Sequence, residues 1–233
     1  MKLLLVLNTG SSSVKFRLFE LAADLPLVAG GKVTDIGGKC AFKASKEGSE
    51  ETKKTLPPDT THENALSVIL SWLDENGIGV EKLAAAAHRI VHGGERHADP
   101  VLLDSETMHY LRSLSVLAPL HQPHNLAGVD ILASKMPGLA QYGCFDTAFH
   151  ARHHRLFYEF ALPEEIRRRG VRRYGFHGLS YDGIAHSLKN DFPHLLNSRV
   201  VVAHLGNGAS LCAMKDGQSV DTTMGMTALD GLP

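Results

Sequence analysis

The chain begins with a strand, a polar turn that contains glycine and a second strand. Residues 3–8 (Leu-Leu-Leu-Val-Leu-Asn) form a short apolar run that ends in asparagine, residues 9–13 read Thr-Gly-Ser-Ser-Ser, and residues 14–19 alternate between apolar and other side chains. Such alternation is typical of a half-buried strand, and a polar cluster between two strand-like runs predicts a tight turn. The same order follows near residue 200, where a strand over 199–205 leads into Gly-Asn-Gly-Ala-Ser at 206–210 and a further strand at 211–215. The repeat predicts two similarly built domains; the alternative is a chance likeness of two hairpins.

Between the two strand-turn-strand repeats, the pattern changes from strands to an alternation of helices and strands. Strands over 26–35 and 39–44 extend the first hairpin, and the polar residues 45–61 predict a loop or exposed edge. A meander followed by alternation predicts an α/β fold with a mixed sheet. The later predicted elements are helices over 62–75, 105–117, 124–135 and 178–190, and strands over 83–91, 139–146 and 218–222, the last reached through a hairpin turn at Asp216-Gly217.

Composition excludes several classes of function. The 233 residues carry 24 Lys and Arg against 25 Asp and Glu, so no global field attracts nucleic acid or an anionic membrane. No apolar run approaches the roughly 18 residues of a membrane helix. The three cysteines, Cys40, Cys144 and Cys212, are odd in number and far apart, which predicts reduced thiols in a cytoplasm.

Both polar turns offer groups that bind oxyanions. The first combines the Asn8 amide, the Ser11 and Ser13 hydroxyls and the Lys15 ammonium, although it lacks the pattern of a P-loop. The second places Asn207 beside Gly208, where backbone can approach a ligand closely. The alternative is a plain hairpin turn in each case, but two such turns favour a ligand with several phosphates.

Histidine is abundant and unevenly placed, because only His62 of the 14 histidines lies before residue 88. His88 and His92 allow a zinc site, although no cysteine pair or carboxylate supports it. Arg89 lies between them at the end of a predicted strand, where it can reach a carboxylate or phosphoryl group or form a structural salt bridge. Asp146 ends another buried strand, a common place for a catalytic or Mg²⁺-linked carboxylate.

Seven arginines lie between Arg152 and Arg173. They suggest a nucleic-acid patch, but no nucleic-acid motif accompanies them. We therefore interpret them as a solvated basic face or as a rim that attracts an anionic nucleotide.

Six blocks, spread in order over the chain, resemble the acetate kinase family. They are Leu-Asn-Thr-Gly-Ser-Ser-Ser-Val-Lys-Phe at 7–16, His-Arg-Ile-Val-His-Gly-Gly-Glu at 88–95, Ala-Pro-Leu-His-Gln-Pro at 118–123, Phe-Asp-Thr-Ala-Phe-His at 145–150, Arg-Arg-Tyr-Gly-Phe-His-Gly at 172–178 and His-Leu-Gly-Asn-Gly-Ala-Ser at 204–210.

The resemblance implies an actin-like, sugar-kinase-like ATPase fold of two ribonuclease-H-type domains, over 1–148 and 149–233, the second incomplete. It also implies that a phosphoryl group is transferred between ATP and acetate, with ADP and acetyl phosphate as the products. The metal implied is Mg²⁺ or alternatively Mn²⁺, and the enzyme implied is a cytoplasmic homodimer.

Matched position by position, the resemblance assigns roles to individual residues. Asp146, Arg89, His177 and His121 match catalytic positions, and Arg89 also matches the residue that holds the carboxylate. Asn8 matches a metal-linked position. The apolar pocket for the acetate methyl corresponds to Val91, Leu120 and Phe176, and the phosphate and nucleotide positions correspond to Ser11, Ser13, Lys15, His204, Asn207 and Gly208.

Some positions depart from the family pattern. Ala228 stands in Thr-Ala-Leu-Asp-Gly-Leu at 227–232 where the family usually has proline, which predicts a preference broadened toward propionate. Leu179 and Tyr181 replace the usual threonine and histidine, and neither is assigned to chemistry. Because a second catalytic arginine, the adenosine site and a metal-linked glutamate are missing from the 233 residues, we expect the chain to be inactive or nearly so alone.

Three alternatives remain open at this stage. The first is a propionate or short-chain acyl kinase, the second a non-catalytic binding or regulatory module, and the third a His-rich metal hydrolase.

Overall fold

The computed structural model describes residues 1–230. Its strands lie close to the predicted positions. They are β1 (Leu3–Thr9), β2 (Val14–Glu20), β3 (Leu27–Thr34), β4 (Ala41–Lys46), β5 (Thr52–Thr55), β6 (Leu83–Ile90), β7 (Val101–Leu102), β8 (Ala140–Phe145), β9 (Arg199–Leu205), β10 (Ala209–Lys215) and β11 (Gln218–Thr222).

The longer helices also match their predicted positions. The α-helices are α1 (His62–Glu75), α2 (Ser105–Ser113), α3 (Gln122–Lys135), α4 (Arg155–Tyr158), α5 (Glu164–Arg167), α6 (Gly178–Asp191) and α7 (Pro193–Leu196), and short 3-10 turns span Val80–Lys82, Leu114–Val116 and Ala148–His150. Within residues 1–230, none of the helices has the length and apolar character needed to cross a membrane.

The chain forms two compact units. Unit 1 comprises Met1–Ile90, Val101–Arg112 and Leu120–Gly143, and unit 2 comprises Val91–Pro100, Ser113–Pro119 and the chain from Cys144 onward. These units differ from the predicted domains, which change at residue 148. The segment after β6 belongs to unit 2 because its backbone and side chains bind there: Gly93 N donates to Thr147 Oγ1 at 3.1 Å, and the His97 ring stacks on Phe145.

Strands β1–β8 form an eight-stranded sheet in the order β5-β4-β3-β2-β1-β6-β8-β7. Strand β1 is antiparallel to β2 and parallel to β6, so the mixed α/β sheet predicted from the sequence is confirmed. Alternate side chains of β1 and β2 are buried on one face, among them Leu5, Leu7 and Phe16. That face forms the core of unit 1.

Helix α1 covers part of this core. Its apolar residues recur at helical spacing, and Trp72 packs edge-on against Phe16 and Phe42 with ring centroids 6.1 and 6.0 Å apart. The helix begins at His62 because Thr61 and Asn64 form a capping box.

Unit 2 contains the antiparallel strands β9, β10 and β11. Asp216 and Gly217 both have positive φ, as a type I′ hairpin turn requires, so the predicted turn is confirmed. Tyr181 and Ala185 of α6 form a buried cluster with Cys212 and Met214 of β10.

The polar stretch 45–61, predicted as a loop or exposed edge, contains the exposed edge strand β5, whose Thr-Lys-Lys-Thr sequence is held by pairing with β4. Two local predictions differ from the structure. The helix predicted over 105–117 ends as an α-helix at Ser113 and continues as a 3-10 turn. Strand β7, which pairs with β8, was not predicted, because two residues carry no alternation of apolar and polar side chains.

A pH-dependent stability follows from the burial of His88. Its side chain is 2% exposed, its Nε2 lies 2.7 Å from Gln141 Oε1, and burial lowers its pKa to about 4. Because the unfolded chain binds a proton near pH 6.5 and the folded chain does not, stability is complete above that pH and falls as the pH drops toward 4. For His88 the expected loss between pH 6.5 and 5 is about 2 kcal/mol.

Urea unfolding at pH 7.5, 6 and 5 measures this loss, and His88→Gln should reduce it because glutamine does not titrate. Buried His92 and His150 also have pKa values lowered to about 4 by burial, so part of the pH dependence should remain in the variant. Identical pH dependence in both proteins would contradict the assignment to His88.

Candidate active site

The predicted site residues divide between the two units. Unit 1 contains Asn8, Ser11, Ser13, Lys15, Arg89, Leu120 and His121, and unit 2 contains Val91, Asp146, Phe176, His177, His204, Asn207 and Gly208. Each group is described within its own unit.

The first polar turn connects the paired ends of β1 and β2. Gly10 N donates to Ser13 O at 2.8 Å and closes the turn, while Ser11 is exposed and Ser13 is half-buried. Asn8 lies directly opposite Lys15 in the strand register. The turn therefore presents hydroxyl groups beside an amide and an exposed cation, which is the chemistry that an oxyanion requires.

Two side chains that the sequence analysis did not assign hold this turn. His62 Nε2 donates to Gly10 O at 2.8 Å, and Asn125 of α3 donates to Thr9 O at 2.6 Å. Both carbonyl oxygens are thereby bound, so the turn is held from two helices. The isolated position of His62 in the sequence was the one signal that could have pointed to this role.

A row of lysines crosses the open face of the sheet beside the turn. Lys15, Lys32, Lys43 and Lys53 lie directly opposite one another on β2, β3, β4 and β5. Like charges in this arrangement repel. The row adds positive potential to a groove of about 490 Å³ that Asn8, Lys15, Lys32 and Lys43 line together with Arg17, although Glu47 and Glu51 also line it.

Arg89 lies on β6 next to the end of β1. Its Nη1 donates to Asn8 Oδ1 at 3.3 Å, so the structure brings together the predicted carboxylate-binding arginine and the predicted metal-linked residue. The contact follows from the parallel pairing of β1 with β6, in which Leu7 is the partner of His88. A guanidinium beside the amide oxygen makes that oxygen a poorer ligand for a cation.

His121 and Leu120 lie just before α3. His121 is exposed and occupies the N-cap position, where its carbonyl accepts from Asn125 N at 3.0 Å. Leu120 is 62% exposed and belongs to unit 1. The other two predicted pocket residues belong to unit 2.

In unit 2, Val91 and Phe176 lie in one apolar cluster. They pack with Ala118, Tyr174 and Met224, and Leu117 and Ala228 pack against the cluster from its edge. Ala118, Tyr174 and Met224 come from separate segments of the chain, so local sequence patterns carry no signal for their place in this cluster. Residues 231 and 232, which complete the segment around Ala228, lie outside the described residues.

Asp146 follows β8 and is 2% exposed. Its backbone oxygen accepts from Gly178 N at 2.8 Å, which docks the start of α6 against the end of the strand. A side chain at position 178 would collide with that oxygen, so the close approach requires glycine there.

His177 precedes α6 in a left-handed backbone conformation, with φ of 58°. Its Nδ1 lies 2.8 Å from Ser210 Oγ, and that oxygen lies 2.5 Å from the Tyr181 hydroxyl. The ring stacks on His204 at a centroid distance of 4.0 Å. Tyr181, which the sequence analysis left without a role, thus supports His177 through Ser210.

The second polar turn lies beside this histidine pair. It joins β9 to β10, whose ends pair at Leu205 and Ala209, and Asn207 and Gly208 are exposed. A Cβ at position 208 would lie 3.4 Å from Nε2 of His177, so the ring borders the turn. The structure therefore brings His177, His204 and Gly208 together.

The arginine run is matched by carboxylates of unit 2. Six of its seven members form ion pairs with nearby acids, which neutralises much of the run locally. The pairs are Arg152–Asp99, Arg155–Glu159, Arg167–Glu159, Arg168–Glu164, Arg172–Glu95 and Arg173–Asp221.

No group of three His, Cys, Asp or Glu side chains in residues 1–230 converges in a way that would hold a metal ion. His88 is bound to Gln141, and His92 Nδ1 accepts from Gly94 N at 2.9 Å. These two histidines also belong to different units.

Comparisons with known proteins agree on one family. The model of the acetokinase family matches residues 3–233. The acetate kinase of Rhodopseudomonas palustris strain TIE-1 is 46% identical over 234 residues, which cover 98% of this chain and 58% of that protein.

Solved structures give the same result. A propionate kinase from Francisella tularensis subsp. tularensis SCHU S4 has a TM-score of 0.91 at 35% identity, and Porphyromonas gingivalis acetate kinase has a TM-score of 0.85 at 36% identity. Each match covers the whole of this chain and 59% of the other. The chain thus spans less than two thirds of the length of these relatives, and it belongs to the acetokinase family.

Proposed function

We propose that the whole protein transfers a phosphoryl group between ATP and acetate, giving ADP and acetyl phosphate, and catalyses the reverse reaction. The observation that carries this proposal is the position of His177, held against the Gly206–Ser210 turn by Ser210 and His204. The turn offers backbone donors for a nucleotide phosphate, and the ring borders the same space. Membership of the acetokinase family supports the substrate class.

The reaction needs positioning more than acid–base chemistry. Acetate is ionised at neutral pH because carboxyl pKa values lie near 4, so its oxygen attacks the γ-phosphorus without a general base. The transferring group then requires donors at its equatorial oxygens. Arg89 supplies a planar guanidinium that binds carboxylate or phosphoryl oxygens in a bidentate manner.

The hydrogen bonds around Ser210 support one tautomer of His177 as part of the proposal. If the Tyr181 hydroxyl donates to Ser210 Oγ, then Ser210 donates to Nδ1 of His177, and the ring proton lies on Nε2. Nε2 is the nitrogen beside Gly208. We therefore assign His177 as a donor to a phosphoryl oxygen rather than as a base.

The proposed metal is Mg²⁺, with Mn²⁺ as an alternative. Mg²⁺ is usually held by one or two carboxylates together with substrate phosphates, and the buried Asp146 fits that description. Asn8 fits less well because its amide oxygen accepts from Arg89, and we propose that it orients the arginine instead. When bound, the metal would neutralise charge on the phosphate oxygens.

The second candidate is a propionate or short-chain acyl kinase. Ala228 packs at the edge of the apolar cluster where the family usually has the larger proline, and one of the similar structures is a propionate kinase. A smaller side chain leaves more room for the acyl group.

The homodimer and the cytoplasmic location also remain proposals. The cysteines of the described residues are free thiols, in agreement with a reducing compartment.

Ligand binding tests the proposed function. Calorimetric titration should show weak acetyl phosphate and pyrophosphate binding, and Arg89→Gln should weaken acetyl phosphate binding about tenfold or more because a charged, bidentate contact is lost. Arg112→Gln is the matched control, since Arg112 pairs with Asp130 on the surface of unit 1. Stoichiometric zinc in the purified protein, without acetyl phosphate binding, would favour the metal hydrolase instead.

Turnover is expected to be at or near background for the 233 residues alone. Hydroxamate formation from acetate and ATP measures it. Robust turnover would contradict the expected inactivity of the isolated chain and would support the proposed reaction. Binding without turnover would agree with that inactivity and also with a non-catalytic module.

Substitution of Ala228 tests the acyl preference. Ala228→Pro should lower the ratio of kcat/KM for propionate over acetate, because proline fills part of the pocket; one methylene in such a pocket is worth about 1–3 kcal/mol. Where turnover is absent, the ratio of Kd values for propionyl and acetyl phosphate replaces it. Ala228→Val should act in the same direction, and an unchanged ratio in both variants would exclude pocket volume as the cause.

A further inference from the structure

A second group of polar side chains lies behind the candidate site in unit 2. His150, at the end of the Ala148–His150 turn, is 2% exposed. Its Nε2 lies 3.0 Å from the Phe176 carbonyl oxygen and its Nδ1 lies 2.8 Å from Ser219 Oγ. Ser219 Oγ also lies 2.7 Å from His153 Nε2 and 3.4 Å from Cys212 Sγ. The function described above uses none of these four side chains.

The hydrogen-bond partners determine where each proton lies. A carbonyl oxygen only accepts, so Nε2 of His150 donates to Phe176 O. Burial lowers the pKa of His150 to about 4, so the ring is neutral and Nδ1 accepts the proton of Ser219. With its own proton donated to His150, Ser219 Oγ accepts from His153 Nε2. The Cys212 thiol lies 3.4 Å from Ser219 Oγ, and its proton has the Ala213 carbonyl oxygen as a second acceptor. The directions of the two bonds between Ser219 and the histidines are thereby fixed.

The Phe176 carbonyl belongs to the peptide group that precedes His177. A left-handed conformation is uncommon for a residue with a large side chain, and it persists where the surroundings hold the backbone. Here the peptide before His177 is held by His150, and the peptide after it is held by the bond from Gly178 N to Asp146 O. The two bonds together set the direction of the His177 side chain.

Gly175 has a matching role in the same segment. It has φ of 73°, and a Cβ there would lie 2.7 Å from two ring atoms of His150 and from Cγ2 of Thr222. Glycine at this position leaves the space that the His150 ring occupies. Gly175 and Gly178 flank the Phe176-His177 pair. The first leaves room for the His150 ring and the second for the Asp146 backbone oxygen, the two groups that hold the pair.

We propose that Ser219 and His150 are positioning residues for His177: the Ser219 hydroxyl donates to Nδ1 of His150 and holds the ring in the orientation in which its Nε2 proton binds the Phe176 carbonyl, which keeps His177 directed at the Gly206–Ser210 turn. The proposal rests on the proposed function for the role of His177. Its structural part, the dependence of the His177 conformation on the Ser219 hydroxyl, is independent of that function.

A matched pair of substitutions separates the hydroxyl from the volume of the side chain. Ser219→Val removes the hydroxyl, whereas Ser219→Thr has nearly the same volume and keeps it. Ser219 lines a cavity of about 440 Å³, which has room for the added methyl groups. The first readout is the set of ¹⁵N resonances of His150, His153 and His177 in histidine-labelled protein, and the second is the Kd for acetyl phosphate.

In wild type, the resonances should show His150 neutral and protonated on Nε2. Ser219→Val should shift the Nδ1 resonance of His150, because that nitrogen loses its donor, and it should also shift the His177 resonances and weaken acetyl phosphate binding about tenfold, as expected for a misplaced ligand group. Ser219→Thr should restore both readouts. Unchanged His177 resonances and unchanged affinity in Ser219→Val would overturn the proposal.

The two readouts also separate this proposal from the proposed function. If wild type does not bind acetyl phosphate, the proposed function fails, and the His177 resonances still decide whether Ser219 positions the residue. If wild type binds and Ser219→Val binds equally well, only the positioning role fails. Circular dichroism checks folding, and Ser219→Ala replaces Ser219→Val in both measurements if the valine variant does not fold.

Discussion

Strand β1 is hydrogen-bonded along both edges, to β2 in antiparallel and to β6 in parallel orientation, and this double pairing organises unit 1. One face of the strand buries leucines in the core, which fixes the register because a shift of one residue would expose them. This register also determines which residues lie beside the other face and the end of the strand. Asn8 comes to lie opposite Lys15 on one side and within a hydrogen bond of Arg89 on the other.

The polar residues of unit 1 divide into those that offer groups to a ligand and those that hold the backbone. His62 and Asn125 belong to the second kind, since each binds a carbonyl oxygen of the first turn. A turn held in this way keeps its exposed hydroxyls in place without the entropy loss that a mobile loop would incur on binding. In the lysine row next to it, like charges repel one another, and the row raises the electrostatic potential on that face of the sheet.

Unit 2 positions its candidate residues through close approaches at glycine. Gly178 allows the start of α6 to contact the Asp146 carbonyl, and Gly175 leaves space for the His150 ring. Between them, His177 is held in a conformation that its side chain disfavours. The histidines of this region therefore have distinct tasks: His177 and His204 stack beside the second turn, whereas His150 and His153 form hydrogen bonds behind it.

The sequence by itself determined the elements whose signal is local. The apolar run of β1, the alternation in β2, the helical spacing of α1 and the Asp216-Gly217 turn were all predicted within a residue or two, because each depends on neighbours along the chain. The six blocks of motif residues pointed to the family and to the residues of the candidate site, yet they did not show which of those residues contact one another.

Only the tertiary structure decided the contacts between distant residues. The lysine row depends on the register of four strands, and the bonds from His62 to Gly10 and from Ser219 to His150 join residues 52 and 69 positions apart. The ion pairs of the arginine run likewise depend on which acids the fold brings nearby, so a basic run in the sequence became a largely neutralised surface. Strand pairing and helix docking set such distances, and a pattern of local spacing carries no information about them.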